Sequence, residues 1–423
     1  MPPSRQAQSA VVSLNGGTWR TLLSASLSSA NPFVMARLLR RAAAGTLLLL
    51  PVQATAVAAQ RAPSPRATAP SASPSRVASE FDALHFRSIG PATMSGRVAD
   101  VAVFEANPAI YYVGTAHGGV WKTVNNGTTF TPLFQHEGLI AIGDVAVSQV
   151  NPDVVWVGAG ESNNRQSTSW GGGLYKSTDG GKTFALIGLP NSKHINRIVL
   201  HPTNENIVFV AATGPLFGPG GDRGVYKTTD GGLTWKPVLK GDDDTGANDV
   251  AISMADPNVL FASMYQRRRT ACCMNGGGPG SALFKSTDGG DTWTKVTGTG
   301  FPTGPLGRIA VDVFRQSGNI VYATVEAPSA ARPGAAAPPP TDEMSNAPRQ
   351  PAGATGVYRS LDGGATWTKM SSTNPRPMYF SNIKVDPVNP DRVYMGGVGL
   401  HLTVDGGKSW ETDAALVIHD RYC

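Results

Sequence analysis

From residue 98 onward the chain alternates short apolar runs with clusters of Gly, Pro, Asn and Asp, and no run is long enough to sustain a helix. Runs of three to six residues rich in Val, Ile, Tyr and Thr, bounded by such clusters, predict β-strands. The runs come in sets of four. A first strand is predicted at 98–103, 144–147, 197–200, 249–252, 308–311 and 383–385. A second follows at 111–114, 154–158, 207–211, 259–263, 320–325 and 393–396. A third ends in a basic residue, as in Gly119-Val-Trp-Lys122 and Val225-Tyr-Lys227, and a fourth, more polar one opens on an aromatic residue, as in Thr234-Trp-Lys-Pro-Val238. Four strands per set make an antiparallel blade, and blades arranged radially make an all-β propeller, here with six blades visible.

One turn motif links the third and fourth strands of every set. It reads Ser177-Thr-Asp179-Gly-Gly181-Lys-Thr183-Phe184 in the second copy, and its marker residues are Asn125, Asp179, Asp230, Asp288, Asp362 and Asp405. Successive markers lie 54, 51, 58, 74 and 43 residues apart, close to the period of about 40 to 50 residues of a propeller blade. The motif has a structural job: glycine supplies positive φ, and Asp or Asn accepts bonds from nearby backbone N–H groups. The aromatic residue is expected to pack beside the next blade.

This pattern resembles the Asp-box, or BNR, repeat of sialidases, glycoside hydrolase family 74 xyloglucanases and sortilin-type receptors. The stretch from Phe86 to Trp410 is similar to exported bacterial BNR-repeat glycosyl-hydrolase-like or sortilin-like proteins. The segments that carry the likeness include Phe86-Arg-Ser-Ile-Gly-Pro91, Gly114-Thr-Ala-His-Gly-Gly-Val-Trp-Lys-Thr123 and Gly160-Glu-Ser-Asn-Asn-Arg165. The resemblance implies the fold more strongly than the function, because this architecture hosts hydrolases and receptors alike.

Charge shifts the reading away from nucleic acid. The formal charge is +6, but residues 1–59 hold five Arg and no acidic residue, leaving 31 basic against 30 acidic residues elsewhere. A nearly neutral remainder gives a polyanion nothing to follow. Met35-Ala-Arg-Leu-Leu-Arg-Arg41 followed by the apolar stretch 42–52 has the form of a secretory signal, with small-residue cleavage sites near 56–59. Residues 35–59 are therefore expected to be a signal peptide and 1–34 an upstream extension, giving a secreted or periplasmic protein with no membrane span after cleavage. Residues 60–79 read as a Pro/Ser/Ala linker, the propeller as 80–423, and 327–354 as a disordered insertion inside blade five that lengthens the fourth spacing. Cys272 and Cys273 are adjacent and Cys423 ends the chain, so no disulfide framework is predicted, and the two neighbours are either a vicinal disulfide or free thiols. No metal-ligand spacing and no cofactor motif appears.

The candidate functional residues fall in the loops joining second to third strands, on the face opposite the turn motif. Glu161, Asn163, Asn164, Arg165, Trp170, Phe217, Arg223, Arg267, Arg268 and Asn275 combine aromatic faces with polar groups, which suits a glycan or peptide ligand. Packing of these loops on one another across the propeller mouth is the alternative. Glu161 and His117 are the candidate catalytic groups. By resemblance, family 74 enzymes carry a catalytic Asp in a Thr-Asp-Xaa-Gly-Gly segment; here the match is Thr115-Ala116-His117-Gly118-Gly119, with Ala116 in its place. A glycosidase also needs a second carboxylate at about 5 Å or about 6.5 to 9.5 Å, and none can be paired from sequence. A last pattern is Arg97, Asp144, Arg197, Asp249, Arg308 and Asn382 near the starts of the inner strands. Their alternation predicts a ring of interblade ion pairs around the channel; the alternative is an arginine set converging on an anion.

After the sixth motif the chain stops at Cys423, where related proteins begin another blade, so an incomplete seven-bladed propeller is expected, with six-bladed closure through 84–89 as the alternative. The resulting expectation is a monomeric exported propeller that binds a glycan or peptide on its long-loop face. The rival is a xyloglucanase-like hydrolase completed by further C-terminal sequence.

Overall fold

The computed structural model of the protein describes residues 97–417, apart from 166–167, 272, 328–352, 380–381 and 398. The proposed leader, the linker, most of the insertion and the closing segment 84–89 lie outside the described residues. Every described element is a β-strand, and the strands form six sheets. The inner strands are Val98–Val103, Ile142–Val147, Ile195–Leu200, Thr245–Ile252, Ile309–Val313 and Ile383–Val385. In each sheet the four main strands pair antiparallel in chain order, and successive inner strands lie side by side, as a propeller requires. Blade four carries one extra strand, Met274–Gly276, because its second strand runs on to Arg269 and a short hairpin returns along it. The fourth strands begin one residue later than expected, since each motif aromatic still belongs to the turn: Lys236 follows Trp235 and Thr368 follows Trp367.

The turn motif is held by its own side chains. In blade three Asp230 Oδ1 accepts from the Thr234 N–H at 3.0 Å and from the Thr228 hydroxyl at 2.7 Å, while Thr228 Oγ1 accepts from Gly232 N–H at 3.0 Å. Asn125 reproduces this geometry in blade one without a charge, accepting from Thr129 N–H at 3.0 Å. These bonds favour the ionised form, so the Asp carboxyls sit below the usual range; exposed Asp362 is held at about 2.

The motif aromatics of blades two to six pack on the preceding blade, contrary to the expectation that they would face the next one, whereas Phe130 of blade one meets Tyr111 of its own blade at 5.9 Å. Trp235 meets Trp156 of blade two edge-on at 6.1 Å and donates to Ile187 O at 3.1 Å. In blades three to five the second motif glycine sits against an aromatic ring on the same neighbour: Gly232 against Trp156, Gly290 against Phe209, Gly364 against Phe261. Above that ring lies the basic residue of the third strand, with Lys176 Nζ 4.6 Å from the Trp156 ring and 2.8 Å from Gly231 O. One cation thus ties two blades by a cation–π contact and a carbonyl bond. The apolar core follows the same logic, with five clusters, each shared between two adjacent blades.

Candidate functional site

The channel is built by a repeated irregularity. In blades one to four the pairing of inner and second strands skips one residue, Ala99, Gly143, Asn196 or Asn248, whereas blade five pairs without a break. Such a bulge re-aims the residue that follows. Those residues are Asp100, Asp144, Arg197 and Asp249, and Ala310 holds the equivalent place in unbulged blade five. The predicted ring is therefore corrected at two positions: Arg97 and Arg308 precede their blades' ring positions. Arg197 donates to Asp144 and Asp249 at 3.2 Å each and lies 3.8 Å from Asp100. Burial, then the charge of Asp100, pushes the Asp144 carboxyl well above its usual range, and the surrounding carboxylates push the Arg197 guanidinium up. Asp144 also accepts from Ile198 N–H at 2.6 Å and Asp249 from Val311 N–H at 3.1 Å, each on the next blade. The polar cavity between these groups and Asn382 measures ≈ 30 Å³, room for a water or two and far too little for a sugar ring.

On the long-loop face the blade-two loop crosses the channel mouth. Asn164 is fully buried, donates to Tyr265 Oη at 3.1 Å and to Met378 O at 3.2 Å, and accepts from Arg267. Arg308 spans the same opening, donating to Asn248 Oδ1 at 2.7 Å, Tyr379 O at 2.9 Å and Ser162 O at 3.3 Å. Buried Arg267 also donates to Thr213 Oγ1 at 2.6 Å, and burial with the nearby Arg308 charge lowers its pKa to about 9. Buried Arg223 gathers the carbonyls of Thr213, Pro215, Gly218 and Gly220, fixing the loop that carries Phe217; burial lowers its pKa to about 10. Arg268 pairs with Asp244, Asn163 is buried, and Asn275 is exposed on the blade-four return strand. Cys273 is disulfide-bonded, and the chain's other cysteines, Cys272 and Cys423, lie outside the described residues. Two large aromatics remain outside this packing: Trp170 is 57% exposed and Phe217 44% exposed.

Glu161 lies at the blade one to two corner, buried, in an ion pair with Arg97. Arg165 Nη1 is 3.7 Å from its Oε1, and Ser169 N–H donates to its Oε2 at 3.3 Å. His117 Nε2 is 2.6 Å from Ser169 Oγ, which invites comparison with a nucleophilic serine. The wiring opposes that role. Arg97 Nη2 sits 3.4 Å from His117 Nδ1, and a guanidinium can only donate, so Nδ1 accepts and Nε2 carries the hydrogen toward Ser169. A ring that donates to the hydroxyl cannot take its proton. Burial and the Arg97 charge both hold the His117 pKa down.

A family model described as Sortilin-Vps10 (sortilin, neurotensin receptor 3) matches residues 172–300. Among curated proteins, a xyloglucanase of Hypocrea jecorina is 27% identical over 231 residues, covering 48% of this chain and 26% of its own length. An oligoxyloglucan-reducing end-specific xyloglucanase of Emericella nidulans is 22% identical, covering 78% of this chain and 42% of its own length. The crystal structure of the Niastella koreensis GH74 enzyme superposes with a TM-score of 0.53 at 22% identity, covering 74% of this chain and 46% of that one. The chain is a β-propeller similar in sequence to sortilin-type proteins and to xyloglucanases. It spans less than half the length of these relatives.

Within this propeller Ala116, at the position that the family 74 resemblance gives to a carboxylate, is 1% exposed, and its N–H donates to Arg97 O at 2.8 Å. The predicted residues thus divide. Glu161, Asn163, Asn164, Arg223 and Arg267 are buried among loops and strand ends, while Arg165, His117, Trp170, Phe217 and Asn275 reach solvent. Sequence reasoning missed Ser169, Thr213, Tyr265 and the buried His194, whose Nδ1 lies 2.9 Å from Glu161 O. Asn196 and Asn248 had one readable signal: an amide standing in an otherwise apolar inner strand.

Proposed function

We propose that the propeller is an exported, monomeric saccharide-binding module whose ligand lies on the long-loop face against Trp170 and Phe217. The observation that carries this reading is the contrast between exposed aromatics and the locked loops beneath them. Asn164, Arg223 and Arg267 are buried and bonded to the loops they fix, so ligand contact orders little new structure. Aromatic side chains on such a frame supply flat apolar area for a sugar ring. The xyloglucanases among its relatives favour a saccharide over a peptide as the ligand. Binding is favoured over hydrolysis because Glu161 is neutralised by Arg97 and Ala116 offers no carboxylate.

Calorimetric titration of xyloglucan oligosaccharides, with reducing ends assayed in the same samples, tests this reading. It expects saturable binding, weakened at least tenfold by Trp170→Ala, and no new reducing ends. Release of reducing ends by the purified chain would establish the hydrolase instead.

A further inference from the structure

The corner formed by Arg97, His117, Glu161, Arg165 and Ser169 has one carboxylate for two guanidinium groups, a surplus of one positive charge with His117 neutral. The surplus faces outward. Glu161 and Arg97 have side chains 1% and 10% exposed, whereas Arg165 and His117 are 26% and 34% exposed. The corner is also incompletely bonded: buried Arg97 Nε and Arg165 Nη1 have no hydrogen-bond partner among the described residues. Those two nitrogens are closed to solvent, so a ligand meets the part-exposed remainder of the Arg165 guanidinium, and a planar cation beside a positive surplus suits an oxyanion. Trp170 follows Ser169 directly in the chain and is exposed, so an aromatic platform adjoins the cationic corner.

We propose that this corner recognises the carboxylate of an acidic saccharide, a uronic-acid-containing glycan, with Arg165 and Ser169 contacting the carboxylate and Trp170 packing on a sugar ring. Arg97 acts as a positioning residue that holds Glu161 and the His117 tautomer and keeps the corner cationic. The inference rests on the saccharide-binding reading above and narrows it to a charge class. Arg favours a planar carboxylate because its fork matches both oxygens, which a Lys point charge does not.

The test is calorimetric titration of a galacturonic acid oligomer and of a neutral xyloglucan oligosaccharide. The proteins are wild type, Arg165→Ala, Arg165→Lys and Trp170→Ala, each checked for an unchanged melting midpoint. The acidic oligomer is expected to bind at least tenfold more tightly than the neutral one and to weaken with added salt. Arg165→Ala should remove that preference, Arg165→Lys should restore it only in part, and Trp170→Ala should weaken both ligands. Equal affinity for the two oligosaccharides, with Trp170→Ala weakening both, overturns the acidic preference and leaves the saccharide reading standing. No binding of either, or no effect of Trp170→Ala, overturns the saccharide reading itself.

Discussion

Replacing Arg197 by Met leaves three carboxylates facing a narrow channel without their cation. The guanidinium now lies 3.2 Å from Asp144, 3.2 Å from Asp249 and 3.8 Å from Asp100. Breaking a buried ion pair from one side costs about 3–5 kcal/mol. Arg197 keeps 18% of its side chain exposed, which places the loss near the lower bound, about 3 kcal/mol. With roughly 2 cal/mol/K of unfolding entropy per residue over about 320 residues, that lowers the melting midpoint by roughly 5 °C. The pH dependence has a definite sign. Burial holds the Asp144 carboxyl above its unfolded value, and losing Arg197 raises it further. Such a group binds its proton more tightly folded than unfolded, so the folded variant is relieved as pH falls from 7 through the raised pKa. Circular-dichroism melts of wild type and variant at pH 7 and pH 5 should show the deficit shrinking at pH 5, and Arg197→Met with Asp144→Asn should recover part of it at pH 7. A midpoint within 1 °C of wild type at pH 7, or a deficit that grows on acidification, refutes the reasoning.

Trp156→Ala removes a fully buried ring that seats Gly232, Trp235 and Lys176, and should lower stability by about 3–5 kcal/mol in denaturant unfolding. A loss below about 1 kcal/mol would mean that the interblade stack is dispensable. Asp362 is held at about 2 by the Thr366 and Ser360 hydroxyls and the Thr366 N–H, so its stabilising bonds are present above the unfolded value and lost as pH falls through about 2; an NMR titration midpoint near 3.9 would contradict this. Gly143→Ala places a methyl group against the carbonyls of Ile195 and Gly160 and should destabilise by about 2 kcal/mol or more, read by the same melts. A wild-type midpoint would mean that the bulge there is freely deformable.

The blades were legible because their signals are local. The motif needs two successive residues with positive φ, such as Gly231 and Gly232 or Asn126 and Gly127, and an Asp or Asn within reach of the N–H four residues on, and all of this is written in eight consecutive residues. The channel ring was half legible. Asp144, Arg197 and Asp249 stand out as charges in apolar strands, but the bulge at Ala99 shifts blade one's ring position to Asp100, and the unbroken pairing of blade five gives it Ala310. A one-residue slip in register depends on the partner strand, which no local pattern shows. The mouth was the least legible part. Asn164 meets Tyr265 101 residues away and Met378 214 residues away, and only the radial arrangement of blades brings them together. The same contacts turn Asn164 and Arg267, which composition marked as ligand groups, into the frame beneath the exposed Trp170.

Hydrogen–deuterium exchange with and without a saturating, tightly bound glycan tests the central claim most directly. The account predicts new protection confined to the loops around 161–170 and 214–223, with the turns at Asp179, Asp230, Asp288 and Asp362 unchanged. Protection centred on those turns, or on the inner strands of the channel, would contradict it.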